Sequence, residues 1–175
     1  MPFFIAMKSS QRTKNIVLSA LIAGAYTALT FISFLFGLDK GVIQFRLSEC
    51  LAILPAFTPS AIWGLFIGCF LSGLLTSAHP LDMIFGSLVT LLAAVVALLL
   101  HYLLKGRRGE AFLIPLPNIL FNSFLIPFLL QGVYGAADGY WFLLFTVGVG
   151  EIVTCGVLGV LLYFLLRRRR DFFRL

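Results

Sequence analysis

The run LDMIFGSLVTLLAAVVALLLHYLL (81–104) is almost entirely apolar, and the basic stretch KGRRGE (105–110) follows it directly. A helix of this length reaches across a hydrocarbon core of about 30 Å. Lys and Arg residues beside a transmembrane helix favour the cytoplasmic face. The two stretches together predict a membrane-spanning helix that ends on the cytoplasmic side.

The composition of the whole chain extends this prediction. Of the 175 residues, 61% are hydrophobic and 11% are charged, whereas a soluble domain is about 25% charged. Lipid is therefore expected to cover much of the surface. The net charge of +6 does not indicate nucleic-acid binding, because the basic residues lie at the ends of apolar segments, where they meet lipid headgroups.

Further apolar segments predict an all-α integral membrane protein, a bundle of six transmembrane helices. The predicted spans are about 15–37, 43–57, 60–77, 81–104, 111–131 and 140–166, in a single transmembrane domain of residues 1–175. The second span covers only roughly 23 Å at 1.5 Å per residue. It is either a thin span or a segment partly buried among its neighbours.

Three basic clusters set the predicted topology. They are Lys8, Arg12 and Lys14; Lys105, Arg107 and Arg108; and Arg167, Arg168, Arg169, Arg170 and Arg174. Six crossings place all three clusters inside and leave Lys40 and Arg46 as the outside bases. We expect a multi-pass protein of the plasma membrane with both termini cytoplasmic. Because Met7 begins a more ordinary start, residues 1–6 are expected to be dispensable.

Several kinds of site are missing from the sequence. Cys50, Cys69 and Cys155 are odd in number and form no CxxC pair, which argues against a disulfide framework or a zinc site. The chain has no GxxxxGK[ST] loop for ATP. It also lacks a constellation of nucleophile, histidine and carboxylate, since its histidines are His79 and His101. We predict no enzymatic activity, no cofactor and no metal.

Glu151 is the clearest polar residue inside a predicted span. It follows Gly148 and Gly150 in GVGE, and Thr154 shares its helix face. An acid at the centre of a membrane helix costs roughly 2.5–3.5 kcal/mol. Such a residue is either a ligand-binding carboxylate or a structural carboxyl that is protonated or hydrogen-bonded to a neighbouring helix.

Asn118 and Asn122 are four residues apart, so both amides project from one face of the fifth span. Pro115 and Pro117 disrupt the preceding turn. An amide offers one acceptor and two donors, which suits the edge of a base. The alternative is hydrogen bonding between helices, which is common in membrane bundles.

Other polar residues are predicted to line the outer entrance. Gln44, Arg46 and Glu49 form QFRLSE, a candidate lid and rim for a polar solute, although Arg46 and Glu49 could simply pair on a helix surface. Asp82 begins the fourth span and is a further candidate, unless it only stabilises the helix N-terminus. Tyr134 could stack on a planar ligand or belong to an interfacial aromatic belt.

The first span carries small residues at every fourth position, at Ala20, Gly24 and Ala28. These residues form a flat strip where another backbone can approach closely. The strip either packs inside the protein or docks on a partner membrane subunit.

Four stretches resemble the QueT family. They are QFRLSECLAILPAFTPSAIWGLFIGCFLSGLL (44–75), LDMIFGSLVTLLAA (81–94), PLPNILFNSF (115–124) and GVGEIVTCGVLG (148–159). The similarity runs from about Ser19 to Leu161. Members of this family are substrate-binding S components of energy-coupling factor (ECF) transporters, assigned to queuosine precursors.

The resemblance implies a six-helix bundle that captures a 7-deazaguanine, such as queuine or its aminomethyl precursor, outside the cell. It also implies docking on a membrane coupling subunit that carries two ATPase subunits. The family's Ala-x-x-x-Ala contact corresponds to Ala20, Gly24 and Ala28, where Gly24 departs from the pattern but remains small. The carboxylates and amides at Glu151, Asn118, Asn122 and Glu49 match the hydrogen-bonding groups of such a ligand.

Two alternatives stay open from the sequence. The chain could be a self-sufficient carrier, proton-coupled or facilitative, with Glu151 as the proton site. It could also be an S component for a different vitamin. Neither the exact ligand nor the oligomeric state follows from the sequence.

Overall fold

The computed structural model describes residues 9–38, 43–76, 79–107 and 109–168. Within these residues every regular element is helical, which confirms the all-α prediction. The predictions for residues 1–6, Lys8, Lys40 and Arg108 lie outside the described residues. So do those for Arg169, Arg170 and Arg174 in the last basic cluster.

The helical elements follow the order of the predicted spans. They are α1 (Ser9–Leu35), a 3-10 helix (Leu47–Ala56), α2 (Ser60–Leu75), α3 (Pro80–Leu104), α4 (Glu110–Leu113), α5 (Leu116–Gly132), α6 (Tyr140–Glu151), a π-helical segment (Ile152–Gly159) and α7 (Val160–Arg167). The short α4 and α5 form one span, and α6, the π-helical segment and α7 form another.

Four helical stretches of the described chain are long and apolar enough to cross a membrane. They are Gln11–Leu35, Pro80–Leu104, Glu110–Gly132 and Tyr140–Arg167. Large apolar side chains such as Leu88, Leu92 and Leu99 on α3 are exposed, as expected for a surface in contact with lipid. These features are those of a multi-pass membrane protein. Six crossings and cytoplasmic termini remain predictions, because the other two apolar helices are shorter.

The second predicted span differs most from the structure. It was expected over about 43–57 as an α-helix, but the chain is irregular until Leu47 and then forms a 3-10 helix to Ala56. At about 2.0 Å per residue, this helix of 10 residues is roughly 20 Å long. Eight of its residues are buried, so it is a central element surrounded by other helices.

The 3-10 helix lies at the centre of the bundle. It packs against α1, α2, α3, the π-helical segment and α7. One apolar cluster joins Leu51 and Leu54 to Ile22 of α1 and Leu65 of α2. A second cluster surrounds Ile53 and includes residues of α3, the α4–α5 turn and α7. Burial on all sides explains why this segment shows no amphipathic pattern.

The last span changes its helical winding at the position of the predicted acid. The α-helix ends at Glu151, and the eight residues Ile152–Gly159 form a π-helix before α7 begins. A π-helix is rare, usually a single turn, and frequently found at functional sites. This winding alters the direction of the side chains that follow Glu151, including Cys155.

A buried contact between a histidine and a carboxylate holds the C-terminal end of α3 against α4. His101 Nδ1 lies 2.6 Å from Oε1 of Glu110, the first residue of α4. The other oxygen of Glu110 accepts a hydrogen bond from the backbone N–H of Gly106 at 3.2 Å. The turn between α3 and α4 is therefore held by one carboxylate.

Candidate functional site

Two acids and an amide from three elements meet in the interior. The Asn118 side-chain nitrogen of α5 lies 2.9 Å from Oε2 of Glu49 on the 3-10 helix. The same nitrogen lies 3.2 Å from Oε2 of Glu151 at the end of α6. Glu49 is 2% exposed and Glu151 is 7% exposed. The structure thus brings together three of the predicted site residues.

Asn122 and Cys155 complete this group. The side-chain nitrogen of Asn122 donates to Glu151 Oε1 at 2.9 Å. The Cys155 sulfur lies 3.0 Å from the Asn118 nitrogen and 3.3 Å from Glu151 Oε2. We call Glu49, Asn118, Asn122, Glu151 and Cys155 the acid–amide cluster.

A tyrosine of α1 forms a hydrogen bond with the Glu49 carboxylate of the cluster. The Tyr26 hydroxyl donates to Glu49 Oε1 at 2.5 Å, and the Tyr26 side chain is buried. Tyr26 can take this place because α1 and α2 approach closely at Gly68, where a Cβ would lie 2.7 Å from the Cβ of Tyr26. Both carboxylate oxygens of Glu49 are therefore hydrogen-bonded.

A second close approach connects the cluster to the segment before the 3-10 helix. A Cβ on Gly150 would collide with the backbone carbonyl oxygen of Gln44. The glycine in GVGE is thus required for packing, and it holds Gln44 beside the α6 turn that carries Glu151. This contact explains why Gln44 lies near the acid in space.

One cavity opens on the acid–amide cluster. It is lined by Gln44, Arg46, Asn122, Ile126, Val147 and Glu151. Its volume of about 20 Å³ is room for roughly one water molecule. We call it the Glu151 cavity. Four of its six lining residues are candidates identified from the sequence.

A second, larger cavity lies between α1, α2 and α3. Its volume is about 40 Å³, and its polar lining comes from Thr30, Ser33, Arg46, Ser72, Thr76 and Asp82. We call it the Asp82 cavity. Asp82 is thus more than a helix-terminal acid, because its side chain faces a polar cavity.

Arg46 lines both cavities. It was considered as a surface partner of Glu49, but among the described residues no carboxylate oxygen lies within 4.0 Å of its guanidinium. The backbone of Arg46 is extended, with φ −105° and ψ 101°, and precedes the 3-10 helix. Its side chain therefore does not follow the helical spacing that would place it over Glu49.

Tyr134 forms hydrogen bonds with two residues at the start of α3. Its hydroxyl donates to Asp82 Oδ2 at 2.7 Å and accepts from the backbone N–H of His79 at 3.2 Å. Burial raises the pKa of Tyr134, the His79 bond lowers it, and Asp82 raises it. Since the net shift is upward, the hydroxyl stays protonated and donates to Asp82. Tyr134 lies outside the acid–amide cluster, and it ties the α5–α6 connection to the start of α3.

The cluster has the donor set for a cation or a polar ligand. Glu49, Glu151 and Cys155 each place one ligand atom within 4.8 Å of the others, so these three could hold a metal ion. A carboxylate accepts hydrogen bonds, while the amides both donate and accept. The same groups can therefore bind a molecule that presents several N–H donors.

Sequence reasoning missed two members of this region. Tyr26 was not considered, although a hydroxyl in the middle of a membrane span is a signal that could have found it. Cys155 was interpreted as a small packing residue, but its sulfur contacts the cluster. The three cysteines, Cys50, Cys69 and Cys155, are free thiols.

The strip of small residues on α1 lies on the outer surface. Ala20, Gly24 and Ala28 are exposed, and a Cβ on Gly24 would have nothing within 4 Å. The face that packs inside the protein is carried by Ile22, Ala23 and Tyr26. Ala20, Gly24 and Ala28 therefore do not pack inside the protein, which was one of the two explanations of the strip.

Comparison with known proteins gives two matches. A family model described as QueT transporter matches residues 16–168. A curated protein of Lactococcus lactis subsp. cremoris (strain MG1363), named queuosine precursor transporter QueT, is 35% identical over 112 residues. That alignment covers 61% of this chain and 65% of the relative, which is just under two thirds of the relative's length. No solved structure matches.

Proposed function

Because the chain belongs to the QueT transporter family, we propose that it is the substrate-binding subunit of an ATP-driven micronutrient importer of the ECF type. In this proposal it captures its ligand outside the plasma membrane and passes it inward with the help of other subunits. The chain has six crossings and both termini in the cytoplasm. Four long apolar helices support this topology, together with the basic residues at Lys105 and Arg167.

We propose that the ligand is a 7-deazaguanine, such as queuine or its aminomethyl precursor. The name of the curated relative points to a queuosine precursor. A deazaguanine presents a carbonyl acceptor beside N–H donors. The acid–amide cluster supplies carboxylates for the donors and amides for both kinds of group. Matching of this kind discriminates strongly, because a buried polar group left without a partner is penalised.

The observation that carries the proposal is the meeting of Glu49, Asn118 and Glu151 beside the Glu151 cavity. Acids and amides are costly inside a membrane protein. Here they come from three separate elements and contact one another through Asn118. This is the expected arrangement for recognising a polar ligand. A purely structural network would not need to line a cavity.

Binding of a nucleobase requires the cavity to enlarge. A volume of about 20 Å³ holds roughly one water molecule, far less than a base occupies. The segment that contains Gln44 and Arg46 is best suited to move, because both residues lie outside the regular helices and line the cavity. We propose that this segment is the lid. The polar Asp82 cavity, which shares Arg46, is then the path by which the ligand arrives.

We further propose that the exposed strip of Ala20, Gly24 and Ala28 docks on the membrane coupling subunit of a module with two ATPases. The strip is flat and free on the surface of α1. Small residues let two helix backbones approach closely in a membrane. The chain has no phosphate-binding loop of its own, so in this proposal the energy comes from its partners.

A self-sufficient carrier is the second candidate. It is favoured by the two carboxylates of Glu49 and Glu151, which share one donor in an enclosed site and could take up a proton. An S component for another vitamin would use the same fold with a different ligand.

Two measurements decide among these functions. First, the purified chain alone is titrated with queuine, its aminomethyl precursor, guanine and common vitamins. We expect binding of the deazaguanines, and preferential binding of a vitamin would overturn the assignment of substrate. Second, uptake is measured in liposomes with and without the coupling module and ATP. Uptake by the chain alone along a gradient would contradict the role of a subunit.

A further inference from the structure

The Asp82 cavity lies directly beside Arg46 of the proposed lid. We propose that this cavity is a binding site for the Arg46 guanidinium, which Asp82 and Tyr134 hold there, and that ligand binding favours this position and so closes the entrance behind the ligand. The inference rests on the proposed function and adds the residues that keep the lid closed. Asp82 and Tyr134 are positioning residues, since they act through Arg46.

The first observation is that three hydroxyl groups of the Asp82 cavity are acceptors. Ser72 Oγ donates its hydrogen to the backbone oxygen of Cys69 at 2.7 Å, and Thr76 Oγ1 donates to that of Ser72 at 2.9 Å. Ser33 Oγ donates to the backbone oxygen of Leu29 at 3.0 Å. A hydroxyl has one hydrogen and two acceptor sites. These three side chains therefore have only acceptor sites left to offer the cavity.

The second observation is the position of the Asp82 carboxylate. Its Oδ2 accepts a hydrogen bond from the Tyr134 hydroxyl at 2.7 Å. A Cβ on Gly86 would lie 3.6 Å from Asp82 Oδ1, and Gly86 lines the Asp82 cavity. The bond from Tyr134 thus orients the carboxylate so that Oδ1 lies beside the cavity, where it can accept from a donor.

The third observation is that Arg46 is the donor that matches these acceptors. Among the described residues, Arg46 and Asp82 are the two charged residues that line the Asp82 cavity. Asp82 also attracts Arg46 electrostatically more strongly than Glu49 does. A guanidinium carries five N–H donors and no acceptor. A cavity of about 40 Å³ that is lined by acceptors and one opposite charge fits the head of an arginine side chain.

The fourth observation is that the backbone after Arg46 is anchored while the side chain borders both cavities. The backbone N–H of Leu47 donates to Ser33 Oγ at 3.0 Å. Next to it, Ser48 Oγ lies 2.8 Å from Thr30 Oγ1. Ser33 and Thr30 belong to α1 and line the Asp82 cavity. Because Arg46 lines both cavities, rotation of its side chain can move the guanidinium from one cavity to the other.

This movement has two consequences for the ligand. Departure of the guanidinium enlarges the Glu151 cavity, whose volume of about 20 Å³ is too small for a base. Its arrival fills the Asp82 cavity, which is the proposed entry path. The ligand is therefore enclosed, and its release requires Arg46 to leave Asp82 again.

The test measures how fast a bound ligand leaves. The purified chain is loaded with queuine or its aminomethyl precursor, whichever binds more tightly, and the dissociation rate is measured after dilution. We expect Asp82→Asn to raise this rate about tenfold, the effect of losing a hydrogen bond to a charged group, with a smaller change in the association rate. Tyr134→Phe, which removes the hydroxyl that orients Asp82, should raise the dissociation rate less. Asp138→Asn is the matched control, because it changes an exposed carboxylate on the same α5–α6 connection as Tyr134 and should leave both rates unchanged.

A double variant shows whether Asp82 acts through Arg46. Arg46→Gln should also raise the dissociation rate, and the addition of Asp82→Asn to it should cause no further increase. A further increase as large as that in the single variant would mean that Asp82 acts on the ligand or on the fold directly, and it would overturn the inference. An unchanged dissociation rate in Asp82→Asn would overturn it as well.

A measurement without ligand separates this inference from the proposed function. The ligand-free chain is treated with phenylglyoxal, which modifies arginine, and the labelling of Arg46 is compared by mass spectrometry with that of the exposed Arg107. We expect Asp82→Asn to speed the labelling of Arg46 and to leave that of Arg107 unchanged. Equal labelling of Arg46 in the variant and the wild type would overturn the inference. Failure of both deazaguanines to bind would overturn the proposed substrate, and the labelling result would still decide the inference.

Discussion

Glu49 and Glu151 share one hydrogen-bond donor, the side-chain nitrogen of Asn118, at 2.9 and 3.2 Å. The two acids are far apart in the sequence, on a 3-10 helix and at the end of α6. Their pairing makes Asn118 the centre of the candidate site, and it separates the roles of the two asparagines on α5.

Replacing the asparagines by alanine should produce different losses of stability. Asn118→Ala removes a donor that lies within hydrogen-bonding distance of both carboxylates and leaves the buried Oε2 of Glu49 without its partner, so the free energy of unfolding should fall by about 2–3 kcal/mol. Asn122→Ala removes one hydrogen bond beside a cavity and should cost about 1 kcal/mol. Both variants should bind ligand more weakly. Thermal unfolding in detergent and ligand titration measure the two effects. Equal destabilisation by both variants would contradict the central place of Asn118.

The contact between Gly150 and Gln44 predicts a large effect of one methyl group. Gly150→Ala would force the Gln44 carbonyl away from α6, and overpacking of this kind costs typically 1–3 kcal/mol. Ligand affinity should fall as well, because Gln44 lines the Glu151 cavity. Gly132→Ala is the control, since a Cβ there would have nothing within 4 Å. A wild-type melting temperature for Gly150→Ala would rule out the close approach.

The exposed strip on α1 predicts that a substitution there can abolish transport without changing ligand binding. Gly24→Leu should spare ligand binding, because no atom lies within 4 Å of a Cβ at this position. It should abolish assembly with the coupling subunit or uptake of substrate, because a large side chain keeps the helices apart. Val95→Leu, on the exposed face of α3, is the control for a change in a lipid-facing side chain. Loss of ligand binding in Gly24→Leu would mean that the strip packs internally.

The buried pair of His101 and Glu110 predicts a stability effect without a binding effect. Glu110→Ala leaves a buried histidine without its hydrogen-bond partner at 2.6 Å, and leaving one member of a buried hydrogen-bonded pair unsatisfied costs about 1–3 kcal/mol. The pair lies about 28 Å along α3 from Asp82 at 1.5 Å per residue. Ligand affinity, measured under conditions where the variant is fully folded, should therefore stay unchanged. A change in affinity, measured well below the melting temperature, would show that the two ends of α3 are coupled.

Helix positions on the long spans were predictable from the sequence, whereas the second span was not. The run 81–104 became α3, Pro80–Leu104, with a difference of one residue. The segment predicted as 43–57 is a 3-10 helix at Leu47–Ala56. Its side chains are apolar on nearly every side, so periodicity could not distinguish one winding from another. Burial by five neighbouring elements decides that form.

Among the candidate site residues, the chemistry was predictable but the grouping was not. Glu151, Asn118 and Asn122 stand out because polar groups are rare within apolar spans. Glu49 was placed with Gln44 and Arg46 at the outer rim, since these residues are neighbours in the chain, although its carboxylate was also matched with Glu151 and the two asparagines by hydrogen-bonding chemistry. Its side chain instead turns into the bundle toward Asn118, while Arg46 remains extended at the cavities.

The sequence by itself determined that this protein is a helical membrane protein, and it located the long spans and the polar residues within them. The physical reason is local: a lipid-facing chain must satisfy its backbone hydrogen bonds within each segment, so composition and length suffice. Only the tertiary structure decided that Glu49 pairs with Glu151 through Asn118, and that Arg46 faces two cavities. Those relations depend on the winding of the 3-10 and π-helical segments and on contacts between residues distant in the chain.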